Sequence, residues 1–246
     1  MKIIAVIPAR YASSRFPGKP LADIHGKPMI WWVYNQIKKA TRLNSIIVAT
    51  DDKRILATCE DLNITVCMTN INHNTPTSRT HEVSTRYEAD LYIMINGDEP
   101  MIDPKVIDHI IPKSLQKKPY VASAATTISN ATDVIDPTNL KVVLSNDNKL
   151  LYISRAPIPY PKGTNEYTYK KFVGIQALNK SALDFYVNKP KSPLEWIEES
   201  DLLRFIENGI EVDFINVNYN NLSIDTPKDL EKIKKIIRKE EDHEGI

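Results

Sequence analysis

The feature that most constrains the fold is a short apolar segment that opens directly into a cationic loop. Residues 2–7 form a run with β-branched side chains, which is typical of a strand buried on both faces of a sheet. Arg10, Arg15 and Lys19 follow, with Gly18 as the only glycine of the loop. Because open parallel sheets bind ligands at the carboxyl ends of their strands, this loop predicts a site for a phosphorylated ligand.

The loop does not match the common glycine-rich phosphate motifs. It has neither the G-x-x-x-x-G-K-[ST] spacing nor G-x-G-x-x-G. The whole chain has 7 glycines against 16 prolines, which is unusual for a nucleotide-binding protein. The phosphates would therefore be held largely by Arg and Lys side chains, with help from backbone N–H groups. A solvated basic loop without a ligand is the alternative that these residues leave open.

Apolar runs and helical periodicity then alternate along the chain. The predicted strands lie at residues 45–50, 64–68 and 90–95, and the predicted helices at 27–40, 55–62, 82–88 and 104–116. This rhythm is typical of βαβ units and indicates an α/β fold with a mostly parallel sheet. Residues 69–79 are expected to form a polar loop that is long enough to be functional.

The second half of the chain changes rhythm. Strand-like runs at residues 120–128, 140–144, 150–154 and 172–178 have few helices between them. We expect residues 118–178 to form an antiparallel excursion that binds an acceptor or a second subunit, within a single domain spanning residues 1–246. Helices at 181–187 and 195–208 and a strand at 211–217 are predicted to follow, before a last helix that starts near residue 226.

Composition excludes several classes of protein. The formal net charge is +1 over 246 residues, so the overall electrostatic field does not favour binding to nucleic acid or to a membrane surface. Cys59 and Cys67 have no C-x-x-C spacing, which argues against a disulfide framework or a zinc site. No apolar run is long enough to span a bilayer, and no signal peptide is visible, so we expect a cytoplasmic protein.

A second informative site follows the strand at residues 90–95. The chain there reads Asn96-Gly97-Asp98-Glu99-Pro100, which would bring carboxylates beside the first loop. A hard cation that bridges phosphate oxygens needs such ligands, although the same residues also suit a simple turn. Asp225 lies just before a good helix start at Thr226 and Pro227, so helix capping does not account for it. We expect Asp225 to be a second metal ligand.

Read in order, these segments resemble one family. The segments are PARYASSRFPGKPL, VATDD, INGDEPMIDP, SRAPIPYP, KKFVGIQAL and IDTPKDLEKI. Together they resemble the CMP-Kdo synthetases (3-deoxy-manno-octulosonate cytidylyltransferases) from residue 3 to about residue 237. The resemblance implies a Rossmann-like fold of the nucleotide-diphospho-sugar transferase type. It also implies an Mg²⁺-dependent enzyme that couples CTP to an acidic sugar with release of pyrophosphate, and a homodimer with Ile153, Ile158 and Tyr160 on suitable surface.

The resemblance also implies roles for individual residues. The residues implied to bind CTP are Pro8, Ala9, Arg10, Ser13, Ser14, Arg15, Lys19, Arg79 and Asp98. Asp98 and Asp225 would ligate Mg²⁺, and together with Arg15 and Lys19 they would be the catalytic set. The residues implied to lie around the acceptor are Asn96, Arg155, Lys171, Phe172, Gln176, Asp201 and Arg204.

This chain departs from the family pattern mainly on the acceptor side. Family members carry glutamine where this chain has Asn96, histidine where it has Phe172, tyrosine where it has Gln176 and glutamine where it has Leu202. Because a pocket built to bind hydroxyls loses affinity when its polar partners are removed, we expect a different acidic acceptor, another ulosonic acid or a small phosphorylated or phosphonate acid. A plain 3-deoxy-manno-octulosonate cytidylyltransferase and a catalytically silent nucleotide-binding paralogue are the alternatives.

Overall fold

The computed structural model describes residues 1–13, 15–115, 118–164, 166–219 and 222–244. The strands are β1 (Ile3–Ala9), β2 (Asp23–Ile24), β3 (Lys27–Pro28), β4 (Ser45–Thr50), β5 (Val66–Met68), β6 (Leu91–Ile95), β7 (Val121–Thr127), β8 (Lys141–Leu144), β9 (Leu150–Ser154), β10 (Lys170–Leu178) and β11 (Val212–Val217). The helices are α1 (Met29–Ile37), α2 (Lys53–Asp61), α3 (Pro76–Arg86), α4 (Pro104–Ile110), α5 (Ala131–Ile135), α6 (Lys180–Asn188), α7 (Pro193–Glu198), α8 (Asp201–Glu207) and α9 (Pro227–Glu244), with a 3₁₀ turn at Lys19–Leu21.

One twisted mixed sheet organises the chain, in the order β11-β7-β10-β6-β1-β4-β5. β6, β1, β4 and β5 are parallel neighbours, and β11 is parallel to β7. β10 is antiparallel to both β6 and β7, so it joins the two parallel parts. The predicted α/β class with a mostly parallel sheet is therefore confirmed. None of the helices described is long and apolar enough to cross a membrane.

The alternation along β1 shows how the sheet builds two cores. Ile3, Ala5 and Ile7 pack on one face with α1, α2, α4 and α9. Ile4 and Val6 pack on the other face with α3, α6 and α8. Because successive side chains of a strand point to opposite faces, a strand that is apolar at every position must lie between two layers of helices. This arrangement leaves the strand ends as the natural place for polar residues.

The antiparallel region is smaller than the sequence predicts. β7 and β10 lie inside the central sheet, and only the hairpin of β8 and β9 extends from it, through pairing of β8 with β10. Ile153 is fully buried in this hairpin, so it offers no surface to a second subunit, in contrast to the expectation from the sequence. Tyr160, in the connection that follows, is 83% exposed.

Several helix predictions are wrong in their bounds. The helix expected at residues 104–116 ends at Ile110, since Ile111 is extended. The polar loop expected at residues 69–79 ends at Thr75, because Thr75 caps α3 by accepting a hydrogen bond from the Ser78 N–H at 3.1 Å and Pro76 occupies the first turn. The single helix expected at residues 195–208 is divided into α7 and α8. Glu199 ends α7 in the left-handed conformation, with φ 52°, so the helical hydrogen-bond ladder cannot continue through it.

A buried ion pair joins α7 to α8. Arg204 donates from Nε and Nη2 to the Glu195 carboxylate at 2.6 and 2.7 Å, and from Nη1 to the Tyr186 carbonyl at 2.7 Å. Its guanidinium also lies 3.8 Å from the centre of the Tyr186 ring. Glu195 is 1% exposed and Arg204 is 8% exposed. Every polar contact of this pair is made inside the fold, so it fixes the turn between the two helices.

We therefore expect Glu195→Gln to lower the free energy of unfolding by about 3–5 kcal/mol, because Arg204 would keep its charge without a buried counter-charge. Chemical denaturation measures this loss. Glu60→Gln is the matched control, since Glu60 lies exposed at the end of α2 and its replacement should change stability by no more than about 0.5 kcal/mol. A loss below about 1 kcal/mol for Glu195→Gln would show that the pair does not hold this region together.

Candidate active site

A cavity of about 270 Å³ lies at the carboxyl ends of β1 and β6. The residues that line it are Pro8, Ala9, Arg10, Ser13, Arg15, Lys19, Pro20, His73, Asn74, Thr75, Pro76, Arg79, Asn96, Gly97, Asp98 and Asp225. The cavity is therefore where the sequence places it, at the edge of the sheet onto which the cationic loop opens.

The cationic loop, residues 10–19, has a folded backbone of its own. The Gly18 N–H donates to the Tyr11 carbonyl at 2.9 Å, and the Phe16 N–H donates to Ser13 Oγ at 3.3 Å. Gly18 has φ +72°, a conformation that favours glycine. These contacts turn the chain back so that Arg10, Ser13, Arg15 and Lys19 reach the same cavity. Ser14, which the sequence also places at the nucleotide, lies outside the described residues.

Lys19 brings together three distant parts of the chain. Its Nζ donates to Asp98 Oδ2 at 2.8 Å and to the Ile224 carbonyl at 2.9 Å, and it lies 3.5 Å from Asp225 Oδ1. Arg15 Nη2 lies 3.0 Å from the same Asp225 oxygen. The backbone supports this contact, since the Ile224 N–H donates to the Asp98 carbonyl at 2.9 Å. Two carboxylates and two cations thus meet at one rim of the cavity.

A glycine permits the strand ends to approach so closely. A Cβ at Gly97 would lie 3.2 Å from the Pro8 carbonyl oxygen, which is tighter than an ordinary contact. Gly97 therefore allows the turn after β6 to pack against the end of β1. Asp98, the next residue, reaches Lys19 from this position.

The two carboxylates fit a hard divalent cation that is shared with a phosphorylated ligand. Mg²⁺ usually takes one or two carboxylates from a protein and completes its octahedron with phosphate oxygens and water. Asp98 and Asp225 supply two such oxygen ligands on an open cavity wall. Among the described residues there is no group of three or more His, Cys, Asp and Glu side chains that could enclose a metal ion without help from a ligand.

The opposite wall is the start of α3 and the segment before it. Arg79 is 3% exposed and is fixed by Asp51 Oδ2 at 2.6 Å and by the Thr69 hydroxyl. Thr75, the helix cap, also lies on this wall. The N-terminus of α3 thus lies beside the cavity, where the helix dipole favours an anion.

The sequence missed His73, Asn74, Thr75 and Pro76 as cavity residues. His73 Nε2 lies 2.5 Å from Glu82 Oε2, which also accepts a hydrogen bond from the Asn70 N–H at 2.8 Å. Burial alone would raise the pKa of Glu82, but the hydrogen bonds from Asn70 and His73, with the charge of Arg86, lower it. The length of the polar segment was the one available signal, because a long polar loop in a small domain is often functional.

The acceptor-side residues of the sequence analysis are dispersed. Asn96 lines the cavity. Gln176 is 5% exposed, and its Oε1 has no hydrogen-bond partner within the described part of the chain. Asp201 accepts a hydrogen bond from Thr77 Oγ1 at 2.5 Å, and burial raises the pKa of its carboxyl. Neither Gln176 nor Asp201 is among the residues that line the cavity.

The remaining acceptor-side residues point elsewhere. Arg155 donates from Nε to the Glu198 carbonyl at 3.1 Å, and Lys171 lies 3.4 Å from Asn139 Oδ1. Phe172 packs against the core that contains α6 and α8. Arg204 is engaged by Glu195, as described above. None of these four side chains is among those that line the cavity. The cavity therefore brings together the described residues expected at the nucleotide and metal, but of those expected at the acceptor it includes only Asn96.

Comparison with known proteins agrees with this geometry. The family model described as "Cytidylyltransferase" matches residues 4–214. The mitochondrial 3-deoxy-manno-octulosonate cytidylyltransferase of Arabidopsis thaliana is 39% identical over 243 residues, which cover 96% of this chain and 83% of the relative. The 3-deoxy-manno-octulosonate cytidylyltransferase of Escherichia coli is 38% identical over 241 residues, which cover 97% of both chains.

A solved structure shows the same likeness in three dimensions. The structure of CMP:2-keto-3-deoxy-manno-octonic acid synthetase complexed with CTP superposes with a TM-score of 0.92 at 38% identity, over 98% of this chain and 100% of the other. The resemblance found in the sequence motifs is therefore confirmed. The chain belongs to the CMP-Kdo synthetase family and is a nucleotidyltransferase of the cytidylyltransferase type.

Proposed function

We propose that this enzyme transfers CMP from CTP to 3-deoxy-manno-octulosonate and releases pyrophosphate. The observation that carries the proposal is the cavity rim where Lys19 joins Asp98 and Asp225, beside a loop that supplies Arg10 and Arg15. This rim provides cations for a triphosphate and oxygen ligands for a divalent ion. The relatives named above are cytidylyltransferases for the same sugar acid, which supports the choice of both substrates.

In the proposed reaction a hydroxyl oxygen of the acceptor attacks the α-phosphorus of CTP. A new P–O bond forms to the acceptor, the bond from the α-phosphorus to the oxygen shared with the β-phosphorus breaks, and pyrophosphate leaves with that electron pair. The proton of the acceptor hydroxyl passes to solvent. Arg15 and Lys19 would neutralise the negative charge that develops on the leaving group. The protein needs no covalent intermediate, because positioning the acceptor oxygen in line with the α-phosphorus can supply much of the rate enhancement.

Asp98 and Asp225 would hold Mg²⁺ in this reaction. When bound, the ion would withdraw electron density from phosphate oxygens and compensate their charge. Lys19 would keep both carboxylates oriented toward the cavity, since its ammonium contacts each of them. Arg79 would support the opposite wall through its contacts with Asp51 and Thr69.

The acceptor that we propose is the sugar acid itself, in place of the different acid expected from the sequence. That expectation rests partly on Leu202 as a pocket residue, and Arg204 is also implied to lie around the acceptor. Leu202 is 1% exposed in the core, and Arg204 forms an ion pair with Glu195, so neither side chain lines an open pocket. The relatives also carry the name of the plain sugar-acid enzyme. Asn96, which lines the cavity, remains as a polar candidate for contact with sugar hydroxyls.

The metal assignment predicts that Asp98→Asn and Asp225→Asn each lower kcat at least about a hundredfold with little change in melting temperature. Each substitution removes an anionic ligand but keeps the shape of the side chain, and both residues lie at the cavity rim, not in the core. Pyrophosphate release at saturating Mg²⁺ and a thermal melt measure the two effects. Asp61→Asn is the control, since Asp61 is exposed at the end of α2. Activity near that of the wild type in either rim variant would refute the metal assignment.

The proposed acceptor predicts a kcat/KM with 3-deoxy-manno-octulosonate of about 10⁴ M⁻¹s⁻¹ or more, within the ordinary range for enzymes. Pyrophosphate release with CTP, Mg²⁺ and a panel of acidic acceptors measures it. Fast release with a small phosphonate acid and slow release with the sugar acid would instead support a changed acceptor. No release with any acceptor would overturn nucleotidyl transfer by this chain.

We also propose a homodimer, which the family resemblance implies. The end of β9 meets the end of α7, where the Arg155 N–H donates to Glu198 Oε2 at 2.9 Å. On the same two elements, Leu151 in β9 and Trp196 and Ile197 in α7 are 58%, 66% and 75% exposed, so each element has an apolar side chain available for contact with a second subunit. Light scattering at micromolar concentration should therefore give about twice the chain mass of 28.0 kDa. Leu151→Arg should shift the protein toward monomer, and a monomeric wild type would contradict the proposal.

A further inference from the structure

The cationic loop is supported from outside the cavity by a stack of three groups. The Arg54 guanidinium lies 3.2 Å from the centre of the Tyr11 ring. On Gly18, which belongs to the same loop, a Cβ would lie 3.0 Å from the Cζ and hydroxyl oxygen of that ring. The Tyr11 ring therefore lies against both the Gly18 backbone and Arg54. Neither Tyr11 nor Arg54 lines the cavity.

Arg54 is held in this position by a neighbour on its own helix. Asp52 caps α2 by accepting the Arg54 N–H at 2.9 Å. The same carboxylate accepts from Arg54 Nε at 2.9 Å and Nη2 at 2.7 Å. The side-chain hydrogen bond with Arg54 lowers the pKa of the Asp52 carboxyl. A fork-to-fork pair of this kind fixes the plane of the guanidinium, and a planar cation suits the face of an aromatic ring.

The helix that carries Arg54 is itself fixed to the sheet. Ile55 and Cys59, on the inner face of α2, are fully buried in the core below β1 and β4. The stack thus connects a firmly packed helix to a loop whose cations Arg10 and Arg15 are exposed, while its aromatics Tyr11 and Phe16 pack partly buried against the core. Exposed loop segments open locally at a lower free-energy cost than core strands and helices do.

Tyr11 transmits this support to the residues that face the cavity. It follows Arg10 directly, and its carbonyl accepts the Gly18 N–H at 2.9 Å, next to Lys19. The position of the ring therefore fixes both ends of the segment that carries Arg10, Ser13, Arg15 and Lys19. Loss of the stack would not remove any of these side chains, but it would let the backbone that carries them adopt other conformations.

We propose that the Arg54–Tyr11 stack is a positioning device that holds the cationic loop in its CTP-binding conformation before the nucleotide arrives. Arg54 and Tyr11 then determine the affinity for CTP without contributing to the cavity wall. The apparent dissociation constant equals the intrinsic one divided by the fraction of molecules in the competent conformation, so a less ordered loop raises it. At saturating CTP the bound nucleotide restores the loop, and the chemical step is unchanged. This inference rests on the proposed binding of CTP.

The experiment compares CTP binding by calorimetry with steady-state kinetics in variants of the stack. Arg54→Leu and Arg54→Lys should raise the Kd and the KM for CTP by about three- to tenfold, from the loss of the stacked planar cation and of loop order. The kcat should stay within about twofold, and the KM of the acceptor should not change. Tyr11→Phe keeps the ring and should behave as the wild type. In a Tyr11→Leu background, Arg54→Leu should cause no further loss, because the two residues act as one unit.

Lys53→Met is the matched control for charge. Lys53 is exposed beside Arg54 and carries the same charge, and it has no ring to stack on in the described structure. It should bind CTP as the wild type does. If Lys53→Met weakens CTP as much as Arg54→Leu, and Arg54→Lys binds normally, Arg54 acts only as a charge and the inference is wrong. If the wild type binds CTP and the Arg54 variants bind it equally well, the inference is wrong but the proposed function is not affected. A wild type that does not bind CTP overturns the proposed function and this inference with it.

Discussion

The site depends on the contact of one ammonium group with two carboxylates. Lys19 lies between Asp98 and Asp225, which are 79 and 206 residues away from it in the chain, and it also binds the Ile224 carbonyl. This contact joins the loop after β1, the turn after β6 and the start of α9 at one rim. The side chains of Lys19 and Asp98 are 16% and 21% exposed, so the pair remains accessible to a ligand. A phosphorylated ligand and its cation would compete for the same groups, which makes this rim both a structural junction and a binding surface.

The sheet explains why the rim can be held open. β1 and β6 are parallel neighbours with apolar side chains on both faces, so helices on each side fix their positions independently of the site. Polar contacts then fix the cavity walls from behind. Arg79 is bonded to Asp51 and Thr69, and Tyr11 is stacked against Arg54. A site whose charged groups are positioned by rigid elements loses less free energy in ordering when a ligand binds.

The acceptor side shows how much a local motif leaves undetermined. In the sequence, the family resemblance implies that Asp201 and Arg204 lie around the acceptor. In the structure Asp201 accepts a hydrogen bond from Thr77, Leu202 enters the core, and Arg204 pairs with Glu195. The charge of Arg204 is therefore used to join α7 and α8. An arginine in a sequence motif does not show whether its partner is a ligand or a buried carboxylate. Only the fold decides which partner is within reach.

The sequence by itself determined the α/β class, the bounds of β4 at Ser45–Thr50, the family, and the cations and carboxylates that follow β1 and β6. Periodicity and strand ends carry this information locally, because a strand buried on both faces must be apolar throughout and must place its polar residues beyond its end. The tertiary structure decided what depends on distant partners. It placed His73 and Thr75 on the cavity, paired Arg204 with Glu195 and stacked Arg54 on Tyr11. These contacts join residues from separate segments, and no local pattern specifies which side chains meet when the layers pack.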